Sequence, residues 1–482
     1  MSIVGIAPAQ TGPTRSRIGF VGAIALCALI SGPTLNQSRP ALKAPAFVTS
    51  QNGVLKLALE AAPGKITLDG KTYPGELYND AYIPPVLRVK PGDKVFLHLA
   101  DRLPEMTNLH LHGMNLSPNG NSDNVFIHVL PGTSFDYEFD IPVDLEQHPG
   151  LFWYHPHAHG FTNQQIIGGM SGGIIVEGAE KLFPFLQKLP ERVLLVKHIP
   201  QPDKSEVVSV NGQIDPAISI RPGEAQFWRI GNIGADIFLD LQISGMAFYV
   251  VATDGHWLSH PTKMDSVFLG PGARVEAVVI GGAPGEHAFI SKSFREDAEQ
   301  PLTPERWLAT VAVGGAPAED AAAAESRVAG EKINGPRWIE AIRKSPIANR
   351  RTLTFTRNEA RTQFFINGKM FDEARTDTVV KLGDTEEWTI LNEDDQLHNF
   401  HIHQTNFLVT EINGVPQKAD SLRDTITLPI GQPGKPGVVK VIIPFTDPTI
   451  VGRFVYHCHV VKHEDKGMMG TIEVRRSAIP TD

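Results

Sequence analysis

Four separate histidine pairs share one spacing: His110-Leu111-His112, His155-Pro156-His157, His401-Ile402-His403 and His457-Cys458-His459. In an extended strand, residues i and i+2 face the same side, so each pair aims two imidazoles at one place while the middle residue points away. Together the pairs offer eight neutral nitrogen donors. Borderline ligands of this kind favour copper over calcium or magnesium, and eight of them suit a cluster of three copper ions with room for oxygen between the metals. A single pair would say little, and two pairs could hold a structural zinc in tetrahedral geometry. Four pairs followed by HCHVVKHEDKGM from His457 ask for more than that.

The second constellation surrounds Cys458. His398, Cys458, His463 and Met468 provide two imidazoles, a thiolate and a thioether, the donor set of a blue-copper electron-transfer site. Cys458 points to the opposite strand face from His457 and His459. One copper can therefore bind the sulfur while the flanking residues touch a cluster behind it, and the backbone between them becomes a short path for electrons. A thiolate site passes electrons singly, whereas dioxygen takes four. Four coppers, one at the entrance and three in the cluster, match that stoichiometry.

Short Val, Ile, Leu and aromatic runs broken by Pro-Gly and Asn-Gly turns must position these residues, as in Val86 to Val89, Pro91-Gly92-Asp93, then Val95 to Leu99. A similar phrase returns at Ile218 to Ile220, Arg221-Pro222-Gly223-Glu224, then Phe227 to Ile230. A weaker copy runs Val379 to Leu382, Gly383-Asp384, then Trp388 to Leu391. Asn211-Gly212 and Asn367-Gly368 precede the second and third copies. Three related β-sandwich units follow, with boundaries expected at 46–180, 181–313 and 345–482. Residues 314–344 form the linker, its GGAPAEDAAAAESR stretch reading as exposed chain with a short Ala-driven helix as the alternative. Two histidine pairs lie in the first unit and two in the third, so the cluster is expected at their interface, with the second unit acting mainly as a spacer.

The chain has 482 residues, 41% of them hydrophobic and 20% charged, which excludes a coiled coil and a disordered tail. A net charge of -9 gives no global electrostatic reason to bind nucleic acid. Residues 1–45 read as an export signal and N-terminal extension: Arg15 and Arg17 precede the apolar run Ile18 to Ile30, and Ser31-Gly32-Pro33 breaks it. That run is too short to span a bilayer, so a periplasmic or secreted protein without stable membrane insertion is expected. Cys27 lies in the signal, which leaves Cys458 as the sole cysteine after it and no internal disulfide.

The sequence resembles the three-domain multicopper oxidases, the family that includes laccases, bilirubin oxidases and periplasmic copper-efflux oxidases. HLHG at 110–113, WYHPHAHG at 153–160, HNFHIH at 398–403 and YHCHVVKHEDKGMMG at 456–470 carry the resemblance, which spans about residues 46 to 482. It implies an all-β chain of three cupredoxin-like Greek-key β-sandwich domains holding four copper ions. By that resemblance His398, Cys458, His463 and Met468 hold the type 1 copper, and His110 and His401 the type 2 copper. His112, His155, His157, His403, His457 and His459 then hold the two type 3 coppers. The axial Met468 implies a low to medium potential, with Met469 as a rival for that position.

Dioxygen reduction also consumes protons, and Asp123 and Glu464 resemble the family's acidic relays beside the cluster. Asp424, in LRDTITLP, resembles a residue that orients a type 1 imidazole by hydrogen bonding. His159 exceeds the ligand set and reads as a surface residue or a neighbour of the ligands. His98, His128, His148, His198, His256, His260 and His287 receive no catalytic role.

Phenols and aromatic amines are the expected electron donors, docking at an exposed imidazole edge of His463 or His398, with dioxygen as acceptor. The alternative is a metallo-oxidase for Cu(I), Fe(II) or Mn(II). The nine methionines form no cluster beyond Met468-Met469, which disfavours Cu(I), while Glu393, Asp394 and Asp395 near His398 keep Fe(II) and Mn(II) open. One chain holds every ligand, so a monomer is expected.

Overall fold

Side-chain alternation builds the strands. Lys94–Asp101 (KVFLHLAD) buries Val95, Leu97 and Leu99 and turns His98 outward, the two-residue period of a sheet with one apolar face. The computed structural model describes residues 39–143, 149–333 and 337–476. The apolar run 18–30, Cys27 and His148 lie outside the described residues.

Six sheets pair face to face into three sandwiches. In the first, the sheet containing His110–His112 and Gly150–His155 packs on the sheet of Val54–Leu68 and Lys94–Asp101, with Leu55, Leu97, Phe152 and Ile174 between them. In the third, the sheet containing His398–Ile402 and Gly452–Cys458 packs on that of Thr385–Asn392 and Gly437–Pro444 around Trp388, Phe400, Phe454 and Ile472. The second repeats this plan around Trp228, Val275 and Phe289. Each sandwich has the same parallel pairing: Val54–Leu68 with Lys94–Asp101, Glu191–Pro200 with Ala225–Asn232, and Ile347–Arg357 with Thr385–Asn392. The second strand of each pairing follows the Gly-containing turn of the repeated sequence phrase. The all-β, three-sandwich architecture read from those phrases is therefore the architecture observed.

Strands Ala225–Asn232 and Arg274–Ile280 are buried on both faces. The sandwich core covers one face; the other meets the first sandwich at one end, where Leu151 packs against Gly231, and the segments holding Phe183 and Ala324 at the other, where they cover Phe227, Val278 and Ile280. At Gly150 the chains approach so closely that a Cβ there would lie 2.7 Å from Gly255 Cα.

The Gly314–Arg327 stretch departs from the exposed linker expected of it. Ala321–Ala329 is helical, with Asp320 accepting a hydrogen bond from Ala323 N at 2.9 Å as N-cap, and Ala324 and Val328 are buried with Val278 and Ile280. The Ala run has the highest intrinsic helix propensity, and docking two side chains on the second sandwich supplies the rest. The helix Arg337–Lys344 buries Ile339 and Ile342 beside Leu408, Leu422 and Ile442 of the third sandwich. Among the described residues no helix is long and apolar enough to cross a membrane.

Candidate metal centre

Strand register brings the histidines together. His110 stands opposite His155 on antiparallel strands of the first sandwich, and His401 stands opposite His457 in the third. The two sandwiches meet so that His110 stacks on His403 with ring centroids 3.7 Å apart, and His112 stacks on His401 at 3.9 Å. His457 Nε2 lies 3.2 Å from His157 Nε2 and 3.1 Å from His403 Nε2. His155 and His459 close the group at 5.7 Å between rings. All eight imidazoles are buried.

Burial, reinforced by neighbouring rings, holds most of these imidazoles well below the ordinary histidine range, and His157 and His457 at about 4. They are neutral donors. Nε2 of His110, His112, His155 and His401, and both ring nitrogens of His459, are buried without a hydrogen-bond partner. A buried nitrogen left unpaired costs about 1–3 kcal/mol, and so many aimed into one volume fit metal ions that accept their lone pairs. Donor atoms of His110, His401 and His403, and of His157, His403 and His457, lie within 4.8 Å of one another.

Three of the opposite ring nitrogens are held. His110 Nδ1 donates to Asp123 Oδ1 at 3.0 Å, His155 Nδ1 to Pro156 O at 2.8 Å, and His401 Nδ1 to Asp424 O at 2.7 Å. Such bonds fix ring orientation and leave the opposite nitrogen free. Asp123 is buried and also accepts from Leu111 N and Gln404 Nε2. Glu464 is buried too, with Oε2 2.9 Å from His457 Nδ1 and Oε1 3.5 Å from His157 Nε2. Burial pushes Asp123 well above the usual carboxylate range and Glu464 up to about 7, the latter drawn partly back by His157.

Cys458 faces the other way. Its Sγ lies 3.3 Å from His398 Nδ1 and 3.8 Å from His463 Nδ1, and those two nitrogens are 3.2 Å apart. Met468 is buried in the same apolar cluster, tied by backbone bonds to Cys458 and His463 at 3.0 Å. Two imidazoles and a thiol facing one point, with a thioether in the adjoining core, are the donors copper prefers.

Three expectations are corrected at this pocket. Asp424 does not orient a ring beside Cys458; it sits at the imidazole cluster, its carboxylate bound to Arg274. The orienting carboxylate is Asp394, whose Oδ2 accepts from His398 Nε2 at 3.0 Å. No imidazole edge is open either: His398 and His463 are buried, with Asp394 capping the first and Phe364 stacked on the second at 4.0 Å. Finally, the acidic run beside His398 is not free for an incoming cation. Asp394 pairs with Arg357 at 2.6 Å, and Asp395 pairs with Arg357 at 2.8 Å and Arg361 at 3.1 Å.

The second sandwich is more than a spacer. Its turn at Pro271-Gly272 walls the cluster: a Cβ on Gly272 would lie 2.9 Å from His459 Nε2 and 3.1 Å from His112 Nε2. Its loop between Gly285–Ser291 and Arg306–Val313 straps over the His398 approach, with Leu397 N donating to Glu296 O at 2.8 Å and Ala298 N to Asp395 O at 2.7 Å. Arg361 binds Asp297 and Glu299 of that strap. Beside it opens a cleft of about 940 Å³ that includes Gln396 and Lys462, with Tyr73, Leu302 and Trp307 among its lining residues. Gln396 Nε2 donates to Asp394 Oδ2 at 2.9 Å, linking the cleft to His398 through one carboxylate.

The other histidines stand apart. His159 is half-buried against Phe371. His98 pairs with Asp136, His128 with Glu373 and His198 with Asp236; His260 meets Ser259 and His287 meets backbone carbonyls. His256 is buried in the second sandwich.

Three cupredoxin-type sandwiches with an imidazole cluster where the first and third meet, and a Cys-His pocket directly behind it, define a multidomain copper-type oxidoreductase. The chain belongs to the multicopper oxidase family, whose models match residues 60–181, 181–307 and 345–478. It is an oxidoreductase that uses oxygen. It is 26% identical over 450 residues to the multicopper oxidase mco of Staphylococcus haemolyticus, covering 88% of this chain and 89% of that protein. It is 22% identical over 489 residues to a laccase of Bacillus subtilis, with 82% and 89% covered. The solved structure of a Campylobacter jejuni multicopper oxidase, a metallo-oxidase, superposes with a TM-score of 0.76 at 25% identity, covering 92% of this chain and 96% of that one.

Proposed function

We propose that this protein is a laccase-like oxidase that removes single electrons from phenols or aromatic amines and reduces dioxygen to water. His398, Cys458, His463 and Met468 would hold a type 1 copper, and His110 and His401 a type 2 copper. His112, His155, His157, His403, His457 and His459 would hold a type 3 pair. When bound, the coppers supply one-electron redox chemistry and four stored electrons for dioxygen.

The chain's own groups do the rest. Neutral, buried imidazoles are ready to bind metal without first losing protons. Asp123 and the carbonyl of Asp424 fix His110 and His401, while Glu464, raised to about 7, can hold a proton beside His457 and release it near neutral pH. The cleft offers Tyr73 and Trp307 to an aromatic donor, and Gln396 and Asp394 bridge it to His398. Neutralisation of Asp394 and Asp395 by Arg357 and Arg361 favours an organic donor over a metal ion.

The observation that carries this reading is the split at residues 457–459: Cys458 Sγ is 3.3 Å from His398 while His457 and His459 belong to the imidazole cluster. Oxygen uptake by copper-loaded protein with a phenol, Cu(I), Fe(II) and Mn(II) as separate donors tests it. The highest kcat/KM is expected with the phenol; no uptake with any donor would overturn the oxidase reading, and preference for a metal ion would replace the donor class. The second reading, a metallo-oxidase, is favoured by the likeness to the Campylobacter jejuni metallo-oxidase. Sandwich boundaries near 46–180, 181–313 and 345–482, a monomeric state and a periplasmic or secreted location belong to the same proposal.

A further inference from the structure

We infer that Arg274 and Asp424 form one positioning unit through which the second sandwich sets His112 and His401 at the three-copper cluster; this rests on the cluster proposed above. Arg274 opens the fully buried strand Arg274–Ile280 and has no solvent exposure. Its fork meets both carboxylate oxygens of Asp424, Nη1 to Oδ1 at 2.9 Å and Nη2 to Oδ2 at 2.7 Å. The other donors reach Leu151 O at 3.1 Å, Gly272 O at 3.0 Å and Asp254 O at 3.0 Å. One side chain thus ties all three sandwiches.

The same unit touches two members of the cluster. Arg274 Nη1 lies 3.3 Å from His112 Nδ1, and the Asp424 carbonyl accepts from His401 Nδ1 at 2.7 Å. Those rings stack at 3.9 Å, so fixing both fixes the face they share. Asp254 braces the unit from behind, its carboxylate accepting from Arg274 N at 2.9 Å and Thr425 Oγ1 at 3.2 Å.

Two glycines show how closely the chain is fitted around this pair. A Cβ on Gly113, the glycine of HLHG, would lie 2.4 Å from both Arg274 Nη2 and Asp424 Oδ2, and its φ of +87° already favours glycine. Gly272 leaves the matching space against His112 and His459. A buried ion pair is weak as a stabilising device, because apolar residues of similar volume often do as well. A bidentate guanidinium does offer geometric precision that they lack.

Arg274→Lys in the copper-loaded full chain tests this, since lysine keeps the charge but replaces the planar fork with a point donor. The blue type 1 absorption should remain. The type 2 paramagnetic signal and the near-ultraviolet type 3 band should weaken, with copper affinity at the cluster falling about 10–100-fold. Unchanged type 2 and type 3 signatures at unchanged copper content would overturn the inference. The triple variant Arg274→Met, Asp424→Leu and Asp254→Asn leaves no unpaired buried charge in this unit, since the Asp254 carboxylate otherwise loses the guanidinium 3.6 Å away, and the same selective loss is expected at a melting temperature close to the parent's. Normal cluster signatures in that variant, or parallel loss of the blue absorption and the cluster in both, would assign the pair to folding alone and overturn positioning. A copper-loaded parent lacking type 2 and type 3 signals would instead overturn the cluster itself.

Discussion

His457 and Cys458 are consecutive on one strand and serve opposite sides of it: His457 Nε2 is 3.1 Å from His403 Nε2, and Cys458 Sγ is 3.3 Å from His398 Nδ1. Side-chain alternation alone produces that split. It makes the covalent link between the two pockets as short as a polypeptide allows.

Cys458→Ser replaces the soft thiolate with a hard hydroxyl while leaving the strand in place. Blue absorption should vanish, bound copper should fall from four ions to three, and oxygen uptake driven by a phenol should cease. Spectroscopy, copper analysis and an oxygen electrode check each part; retained turnover would show that electrons reach the cluster by another route.

Glu464 lies between His457 and His157, with burial raising it to about 7 and His157 drawing it partly down. Its carboxyl is protonated below that pH and loses its proton above it. Dioxygen reduction that draws a proton from Glu464 therefore declines as pH rises through about 7. Glu464→Gln should slow turnover and flatten this limb while leaving the blue absorption intact, as steady-state rates across pH would reveal. An unchanged profile would remove Glu464 from proton delivery.

Asp394 accepts from His398 Nε2 at 3.0 Å and is itself held by Arg357. A carboxylate at that nitrogen makes the ring a stronger donor toward metal at Nδ1 and favours the oxidised ion. Asp394→Asn should raise the type 1 reduction potential, read by redox titration of the blue band. A potential that stays put or falls would mean the carboxylate does not act through the ring.

Trp307 is 44% exposed in the cleft beside Gln396 and Lys462, an aromatic surface without full cover. Trp307→Ala should raise KM for a phenolic donor about 2–10-fold, the equivalent of about 0.5–1.5 kcal/mol of lost ring contact. Neither kcat nor turnover with a small inorganic one-electron donor should change. Equal effects on both donors would place the phenol elsewhere.

What could be read from the sequence follows a physical rule. The twelve proposed donor residues are legible because they lie in short motifs where strand period and metal chemistry leave few choices, and the repeated turns disclose the three sandwiches, of which the first and third carry them. Asp394 escaped because it joins His398 across an irregular loop, so no period marks the pair, and its charge suggests a cation site until Arg357 is seen beside it. Arg274 was unreadable for another reason: its partner Asp424 lies 150 residues away in a different sandwich. The strap over His398 is likewise a meeting of two loops, and loop pairing leaves no mark in local composition.

Dioxygen consumption measured together with donor oxidation in the same copper-loaded sample tests the coupling of the Cys458 pocket to the histidine cluster most directly. Four donor electrons per dioxygen, with no peroxide released, is the expected result. Two electrons per dioxygen with peroxide accumulating, or donor bleaching of the blue colour without oxygen uptake, would contradict it.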